Sequence, residues 1–420
     1  MSVPQIPGIK AEGELAQSFR HEVAQLMGRT NTNFPGAQPV SFARHHINEL
    51  CNQDYFLCEK TDGIRCLLYI TNGDAGEEIV YLIDRKNDYY FIPNGGLHFP
   101  KHNDPTFNSF HSGTLLDGEL VNDTMPDGSK KLRYLVFDCV VLDNEPLMNR
   151  PLDKRIGRYF EFVDKPLKQF YARHPKDAEQ FVFEVRFKAM DKPYALEEMF
   201  NHKLPNLPHG NDGLVFTCKS TTYVSGTDEH ILKWKPAHEN SIDFKLALGQ
   251  FPVVTYDDGT TAEDWDAKPT FDLLVYHGSN DYETFASLYI TDADWEAMKA
   301  LNEQLDGRII ECYRDSQGRW RFKAEENGAP RFRDDKPTAN HISTVRKVLE
   351  SIEDGVTQEE LIAAAPGIMR AWKKRHPEEN QNPHPHGTPV QERPQPPTWR
   401  RSESMSGVPP QGLNGRMNGH

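Results

Sequence analysis

Apolar residues near the start of the chain recur at helical spacing. Leu15, Phe19, Val23 and Leu26 would all lie on one face of a helix. This spacing predicts an amphipathic helix over residues 12–27. The segment 33–39 that follows contains two prolines and a glycine, which is typical of a loop.

From this loop to about Pro236, short apolar runs with strand-like alternation follow one another, separated by turn residues. Helical patterns interrupt them only near 154–170 and 194–202. The sequence therefore predicts a mixed α+β domain of antiparallel sheets with flanking helices, rather than a regular alternation of strands and helices. The predicted strands cover residues 55–58, 65–70, 79–85, 89–92, 113–121, 132–142, 181–187, 213–218 and 231–235.

Beyond Pro236 the pattern changes to five strand-like runs in about a hundred residues, with one helical insert near 292–305. Five short strands of this kind predict a small OB-type β-barrel. The runs are 241–248, 271–277, 286–290, 307–314 and 319–324.

Two helices are expected after the barrel, over 341–352 and 358–374. From residue 377 onward the chain is rich in Pro, Gly, Gln, Asn and Ser and has few apolar residues, which predicts a disordered tail. The predicted organisation is 1–238 for the first domain, 239–340 for the barrel, 341–376 for C-terminal helices and 377–420 for the tail. The 341–353 helix could pack back on the first domain.

Composition narrows the possible partners. The 420 residues carry a formal charge of −14, so contact with nucleic acid should be local rather than spread over the surface. Six cysteines occur singly, without a CxxC pair, and are expected to be reduced. The N-terminus has no apolar signal segment, and no run of eighteen apolar residues predicts a membrane span.

The candidate chemistry begins at Lys60, in the sequence Lys-Thr-Asp-Gly at a predicted strand end. A free lysine is almost wholly protonated at neutral pH, so a lysine nucleophile needs neighbours that favour its neutral form. Strand alternation places Lys233 and Lys235 on one face, and likewise Asp117 and Glu119.

Each of these motifs also has a plain explanation. The paired lysines could mark an exposed edge strand, and the paired acids a half-solvated strand. Asp212 before Gly213 could be a simple turn. The charge-dense run 331–336 could be a solvated face. Asp138, within an apolar run, demands a partner for its buried charge.

The order of these motifs is more specific than any one of them. KTDG, DGE, FD, DG, KWK and RxDK follow one another in a way that resembles the covalent nucleotidyltransferases. Within that superfamily the chain resembles the mRNA guanylyltransferases, or capping enzymes, of the monofunctional fungal type. The resemblance extends from about residue 34 to 353 and includes FPGAQPVSF, DRKNDYYF and RFRDDK.

This resemblance implies that Lys60 attacks GTP, forms a lysyl-N-GMP intermediate and releases pyrophosphate, after which GMP passes to the 5′-diphosphate end of nascent mRNA. Lys233 and Lys235 would favour the neutral amine and hold the α-phosphate, and Asp212 would act with Mg²⁺ or Mn²⁺, as a metal ligand. The residues implied to bind the nucleotide are Thr61, Arg65, Glu119, Phe137 (stacking on guanine), Lys188 (donating to the guanine O6), Arg333, Asp335 and Lys336.

The resemblance also implies partners and a location. Only about sixty residues precede Lys60, too few for a phosphatase domain, so a separate RNA 5′-triphosphatase subunit is expected. The phosphorylated C-terminal domain of RNA polymerase II is a further expected partner, and the nucleus the expected location.

Two other functions remain open from the sequence. An ATP-dependent polynucleotide ligase shares the lysine nucleophile, the barrel and several motifs. A non-catalytic module built on the barrel would explain residues 243 onward but would leave Lys60 and its companion motifs as coincidence.

Overall fold

Strands form most of the fold in the computed structural model, which describes residues 4–93, 95–236, 239–325 and 327–378. The predicted tail lies outside these residues from 379 onward. The strands are β1 (Ile9–Lys10), β2 (Ala37–Ser41), β3 (Tyr55–Thr61), β4 (Ile64–Asn72), β5 (Glu78–Ile83), β6 (Tyr89–Ile92), β7 (Thr114–Thr124), β8 (Lys130–Leu142), β9 (Glu145–Pro146), β10 (Glu184–Phe187), β11 (Asn211–Cys218), β12 (Gly226–Trp234), β13 (Ser241–Leu248), β14 (Val253–Thr255), β15 (Thr261–Glu263), β16 (Phe271–Gly278), β17 (Asp281–Ser287), β18 (Ile309–Arg314) and β19 (Trp320–Phe322).

Helices lie between and after these strands, and no described helix is long and apolar enough to cross a bilayer. They are α1 (Gly13–Leu26), α2 (His46–Asn52), α3 (Leu152–Tyr159), α4 (Lys165–Arg173), α5 (Pro175–Ala178), α6 (Leu196–Glu198), α7 (Asp292–Ala300), α8 (Ile342–Glu353) and α9 (Gln358–Arg375). Two π-helical segments, Phe160–Asp164 and Met199–Lys203, continue α3 and α6.

Two sheets build the N-terminal part of the chain. The larger has the order β1-β6-β5-β4-β7-β8-β10, with β9 beside β8, and the smaller has the order β2-β12-β11-β3. Strand pairs are antiparallel except β10 with β8 and β12 with β2. The predicted α+β class with antiparallel sheets is confirmed.

Strand β4 shows why the sequences of the central strands are continuous apolar runs. Cys66 and Leu68 belong to one buried cluster with residues of α4, whereas Leu67 and Tyr69 belong to another with residues of α1. Successive side chains of a strand point to opposite faces, so a sheet covered on both faces needs apolar residues at every position.

The second part of the chain is a closed five-stranded barrel. Its sheet has the order β17-β16-β13-β18-β19, and a bridge between Leu288 and Trp320 joins the two edge strands. If β13, β16, β17, β18 and β19 are numbered one to five, their order around the barrel is 1-2-3-5-4. Helix α7 lies between the third and fourth strands in the sequence. This is a Greek-key barrel of the predicted OB type.

The two C-terminal helices pack on different parts of the molecule. Helix α8 contacts β13 and β16 of the barrel, while α9 lies against α2 and α6 of the N-terminal part. The indole of Trp234 donates a 2.7 Å hydrogen bond to the carbonyl of Val356, in the turn between the two helices. Of the two helices, α9 is therefore the one that packs near the smaller sheet.

Several elements differ from those predicted. The predicted loop contains the start of β2, because Pro39 is tolerated on an edge strand that pairs only with β12. The third barrel strand, β17, begins five residues earlier than expected, and the hairpin of β14 and β15 was not predicted. Helix α7 ends at Ala300 rather than near 305.

Asp138 has the partner that its burial demands. Two nitrogens of Arg155 donate to its carboxylate at 2.8 and 2.7 Å, and both side chains are buried. Burial raises the pKa of Asp138, and Arg155 opposes that rise.

Replacing Arg155 with Met should lower the free energy of unfolding by about 3–5 kcal/mol, because Asp138 would keep a buried charge without a partner. Chemical denaturation measures this loss. As a control, Arg150→Met breaks the exposed 2.7 Å pair with Glu145 and should cost about 1 kcal/mol or less. Equal losses in the free energy of unfolding in the two variants would contradict the assignment of Arg155 as the buried partner of Asp138.

Candidate functional site

Lys60 lies next to the last residue of β3, before the tight turn Asp62-Gly63 that leads into β4. A side chain at position 63 would place its Cβ only 2.4 Å from the carbonyl oxygen of Leu120 in β7. Glycine is therefore required for the turn to pass this close to the larger sheet. The turn joins β3 of the smaller sheet to β4 of the larger one.

Three of the four residues predicted to be catalytic meet in one ion cluster. The Nζ of Lys60 lies 2.6 Å from Oδ1 of Asp212, and the Nζ of Lys235 lies 2.6 Å from its Oδ2. Burial alone would raise the pKa of Asp212, but Lys60 and Lys235 outweigh it and lower the pKa overall. One carboxylate is thus shared between two ammonium groups.

The pairing of β3, β11 and β12 produces this cluster. Residue Asn211 is in register with Thr61, which brings Asp212 beside Lys60. Gly213 has a φ of 145°, and a Cβ there would lie 2.0 Å from the carbonyl oxygen of Trp234. The glycine lets β12 approach closely enough for Lys235 to reach Asp212.

Lys233 is the fourth predicted catalytic residue. Burial lowers its pKa, and the positive charges of Lys235, Lys60 and Arg85 lower it further. In the described ranges no ion pair is recorded for its side chain. Lys233 and Lys235 share a strand face, as the alternation predicts, and both lie within electrostatic reach of Lys60.

An apolar cavity opens beside Lys60. It holds about 790 Å³ of empty space, its open mouth included. Predicted nucleotide-binding residues that line it are Arg65, Glu119, Phe137 and Lys188, and apolar side chains from several elements complete it: Pro39, Leu152, Met190, Val215, Tyr223 and Ile231.

Arg65 is held rigidly at this cavity. Its guanidinium donates two hydrogen bonds to Asp117, at 3.0 and 2.5 Å, and a third to the carbonyl oxygen of Ala37. It lies 5.5 Å from the centre of the Phe137 ring. The Tyr223 hydroxyl donates to Asp117 at 2.6 Å and accepts from the backbone N–H of Ala37 at 3.1 Å.

Lys188 is buried at the floor of the cavity. Its Nζ donates to the hydroxyl of Thr61 at 2.6 Å and to Glu119 at 3.3 Å, and it lies 4.0 Å from Glu59. Thr61 in turn donates to Glu119. Burial would lower the pKa of Lys188, but Glu119 and Glu59 raise it overall. Lys188 is therefore a buried, charged hydrogen-bond donor.

A second, polar cavity of about 700 Å³, open mouth included, also adjoins Lys60. It shares four residues with the apolar cavity and is otherwise lined by two turns. The shared residues are Lys60, Arg65, Arg85 and Glu119, and the others are Thr61, Asp62, Gly63, Ile64, Asp84 and Lys86.

Arg85 and Asp117 are site residues that sequence reasoning did not assign. Burial and the charge of Arg65 lower the pKa of Arg85, which has no recorded ion pair within the described chain. A basic residue two positions after a buried strand, in the segment DRKNDYYF, is the signal that could have identified it. Asp117 was placed on the same face as Glu119, but its partner Arg65 could not be read from the pattern.

The three predicted residues of the barrel lie apart from the lysine cluster. Arg333 and Lys336 pair with Asp243 of β13 at 3.2 and 2.9 Å, and Arg333 also pairs with Asp335 at 3.1 Å. Across the described residues, no recorded hydrogen bond or ion pair joins this segment to Lys60. The segment is anchored within its own barrel.

A metal site made of protein side chains alone is not found in the described ranges, since no group of three or more His, Cys, Asp or Glu residues could hold an ion there. Asp212 is already engaged by two lysines. Any metal ion at this position would therefore need oxygen ligands from water or from a substrate.

Comparison with known proteins finds one family match in each of the two parts of the chain. The family description "mRNA capping enzyme, catalytic domain" matches residues 1–237, and "mRNA capping enzyme, C-terminal domain" matches residues 239–362.

Relatives that match this chain over most of their length are named for the same family. The mRNA-capping enzyme subunit alpha of Neurospora crassa is 47% identical over 385 residues, covering 88% of this chain and 93% of the relative. The proteins of the same name in Schizosaccharomyces pombe and Saccharomyces cerevisiae are 44% and 36% identical, covering 88% and 89% of this chain and 89% and 87% of their own lengths. This chain belongs to the mRNA capping enzyme family.

Proposed function

We propose that the chain is a GTP:mRNA guanylyltransferase in which Lys60 carries GMP between the two substrates. The observation that carries this proposal is the positive charge around Lys60. The charges of Lys60, Lys235 and Arg85 all act on Lys233, and Asp212 is the carboxylate that Lys60 and Lys235 share. Such a surplus of positive charge is suited to a polyphosphate.

In the first step, the lone pair of the neutral Lys60 amine attacks the α-phosphorus of GTP. A phosphorus–nitrogen bond forms, the bond from the α-phosphorus to the oxygen it shares with the β-phosphate breaks, and pyrophosphate leaves with that electron pair. The attacking nitrogen gives up one further proton to water. The amine must have lost a proton beforehand, and the positive charges of Lys233 and Lys235 stabilise the oxygens of the transition state.

The nucleoside would occupy the apolar cavity. Phe137 offers a face for base stacking, which contributes about 1–3 kcal/mol without choosing the base. Lys188 remains the proposed donor to the guanine O6, a role supported by its buried positive charge at the floor of the cavity. Arg65, Thr61 and Glu119 would contact the ribose and nearby phosphate.

A divalent cation, Mg²⁺ or Mn²⁺, is part of this proposal. Asp212 offers only one carboxylate, which suits Mg²⁺ because that ion binds through few carboxylates together with substrate phosphates. When bound, the ion would neutralise phosphate charge.

Arg333, Asp335 and Lys336 would reach the leaving pyrophosphate only when the barrel moves toward the lysine cluster. Arg333 and Lys336 pair with Asp243, and Asp335 pairs with Arg333, so the three residues are preassembled on the barrel. We propose that closure completes the site for the first step and that opening admits RNA. The proposed division at residue 238 is supported by the two family matches, which meet there.

The relatives are named as alpha subunits, which implies a partner subunit. We propose that this partner is an RNA 5′-triphosphatase that prepares the diphosphate end. The phosphorylated C-terminal domain of RNA polymerase II would recruit the enzyme to nascent mRNA, which places it in the nucleus.

Incubation with GTP labelled in the α-phosphate and a divalent cation should label the unsubstituted protein covalently. Lys60→Ala and Lys60→Arg should abolish the labelling, because neither side chain supplies a neutral amine at this position. Gel separation under denaturing conditions measures the label, and thermal unfolding of each variant checks that it is folded.

ATP labelled in the same way separates this function from the ligase alternative, which the capping-enzyme relatives do not favour. ATP should give no labelling. Labelling from ATP but not from GTP, or labelling that survives Lys60→Ala, would contradict the proposal.

Tyr223→Phe should lower kcat/KM for GTP about tenfold, because a hydrogen bond to a charged group contributes about 1.5–3 kcal/mol. The lost hydroxyl orients Asp117, which holds Arg65. If Arg65 acts on the ribose, the penalty should shrink when 2′,3′-dideoxy-GTP replaces GTP. Initial rates of adduct formation with both nucleotides measure the effect.

Tyr69→Phe is the matched control for this experiment. The Tyr69 hydroxyl also donates to a carboxylate, that of Glu22 in α1 at 2.5 Å, and it makes no recorded hydrogen bond to Arg65 or Asp117 among the described residues. The control variant should lower the free energy of unfolding, and any loss of kcat/KM should be the same with GTP and with the dideoxy analogue. The same penalty with GTP and the dideoxy analogue in Tyr223→Phe would show a purely structural role.

A further inference from the structure

The polar cavity has charges that the first step of the reaction does not account for. Asp84 accepts hydrogen bonds from the backbone N–H groups of Lys86 and Asp88, both at 2.9 Å. Glu119 is engaged by Thr61 and Lys188. These two carboxylates of the cavity are therefore already used by the protein itself.

Two cations of the cavity lack such partners. Among the described residues, neither Arg85 nor Lys86 has a recorded ion pair, and Lys86 is exposed. Asp62 is also exposed and lines the same cavity. Lys86 is therefore free to bind an anion that enters from solvent.

The turn that carries Lys86 is firmly held. The N–H of Asn87 donates to the carbonyl of Asp84 at 2.9 Å, and the Asn87 side chain donates to the carbonyl of Thr32 at 2.6 Å. Asp88 pairs with Lys10 at 2.7 Å and with Arg20 at 3.5 Å. Side chains on a rigid turn are well placed for binding, since little backbone order is lost.

The chemistry of the second step determines what enters this cavity. An oxygen of the RNA 5′-diphosphate attacks the phosphorus of the Lys60 adduct, the phosphorus–oxygen bond forms, and the phosphorus–nitrogen bond breaks. The amine of Lys60 leaves with the electron pair and takes up a proton. Attacking and leaving atoms lie roughly in line at phosphorus, so the RNA diphosphate takes the position that pyrophosphate occupied in the first step.

With the nucleoside in the apolar cavity, the polar cavity is a second space that adjoins Lys60 and opens to solvent. We infer that the exposed Lys86 binds a phosphate of the acceptor RNA beyond its 5′-diphosphate, and that the turn 84–88 forms one wall of the RNA entry path. This inference rests on the proposed function. It assigns Lys86 to the second step and not to the first.

The two steps can be measured separately, which tests the inference. The Lys60–GMP adduct is formed with GTP, freed of nucleotide, and mixed with an RNA oligonucleotide that ends in a 5′-diphosphate. Lys86→Glu should form the adduct at the normal rate but raise the RNA concentration needed for half-maximal transfer several-fold. Lys86→Arg should restore transfer.

Salt dependence gives a second readout. Loss of one phosphate contact to a single strand in Lys86→Ala should reduce the slope of log affinity against log salt by about 0.7. The change should be the same for RNAs of different base sequence, because a phosphate contact carries no sequence information.

Lys176→Glu is the matched control. It makes the same charge change at an exposed lysine of α5, outside both cavities, and should leave transfer unchanged. Normal transfer by Lys86→Glu, or slower adduct formation from GTP in that variant, would overturn the inference. No adduct in the unsubstituted protein would overturn the proposed function instead.

Discussion

The sharing of Asp212 between Lys60 and Lys235 is the interaction on which the site depends. Two ammonium groups beside one carboxylate, with Lys233 close by, leave positive charge that the protein does not neutralise. The cluster thereby prepares a place for phosphate beside the Lys60 amine. Without Asp212, the lysines would repel one another and lose their common position.

The two sheets contribute different parts of the reaction. The smaller sheet brings the lysines and Asp212 together through the close pairing of β3, β11 and β12, which Gly213 permits. The larger sheet supplies Arg65, fixed by Asp117, and the aromatic ring of Phe137. The turn at Gly63 connects the two sheets, so the nucleophile lies where phosphate-binding and nucleoside-binding surfaces meet.

Much of this arrangement could be predicted from the sequence, because it follows from local periodicity. Alternation placed Lys233 and Lys235 on one face, and the barrel strands followed from five apolar runs. The need of Asp138 for a partner was clear, but Arg155 could not be chosen, since long-range pairing leaves no periodic signal. Arg85 had a local signal, a basic residue shortly after a buried strand, but its position beside Lys60 depends on how two sheets meet. The early start of β17 reflects a polar, exposed strand whose pattern is weak.

The central claim is that Lys60 itself becomes bonded to GMP. Peptide mapping by mass spectrometry, after incubation with GTP and a divalent cation, tests it most directly. We expect the mass of one GMP on the peptide that contains Lys60, with loss of the modification in acid, as a phosphorus–nitrogen bond requires. A GMP-modified peptide that lacks Lys60, or an adduct stable to acid, would contradict the account.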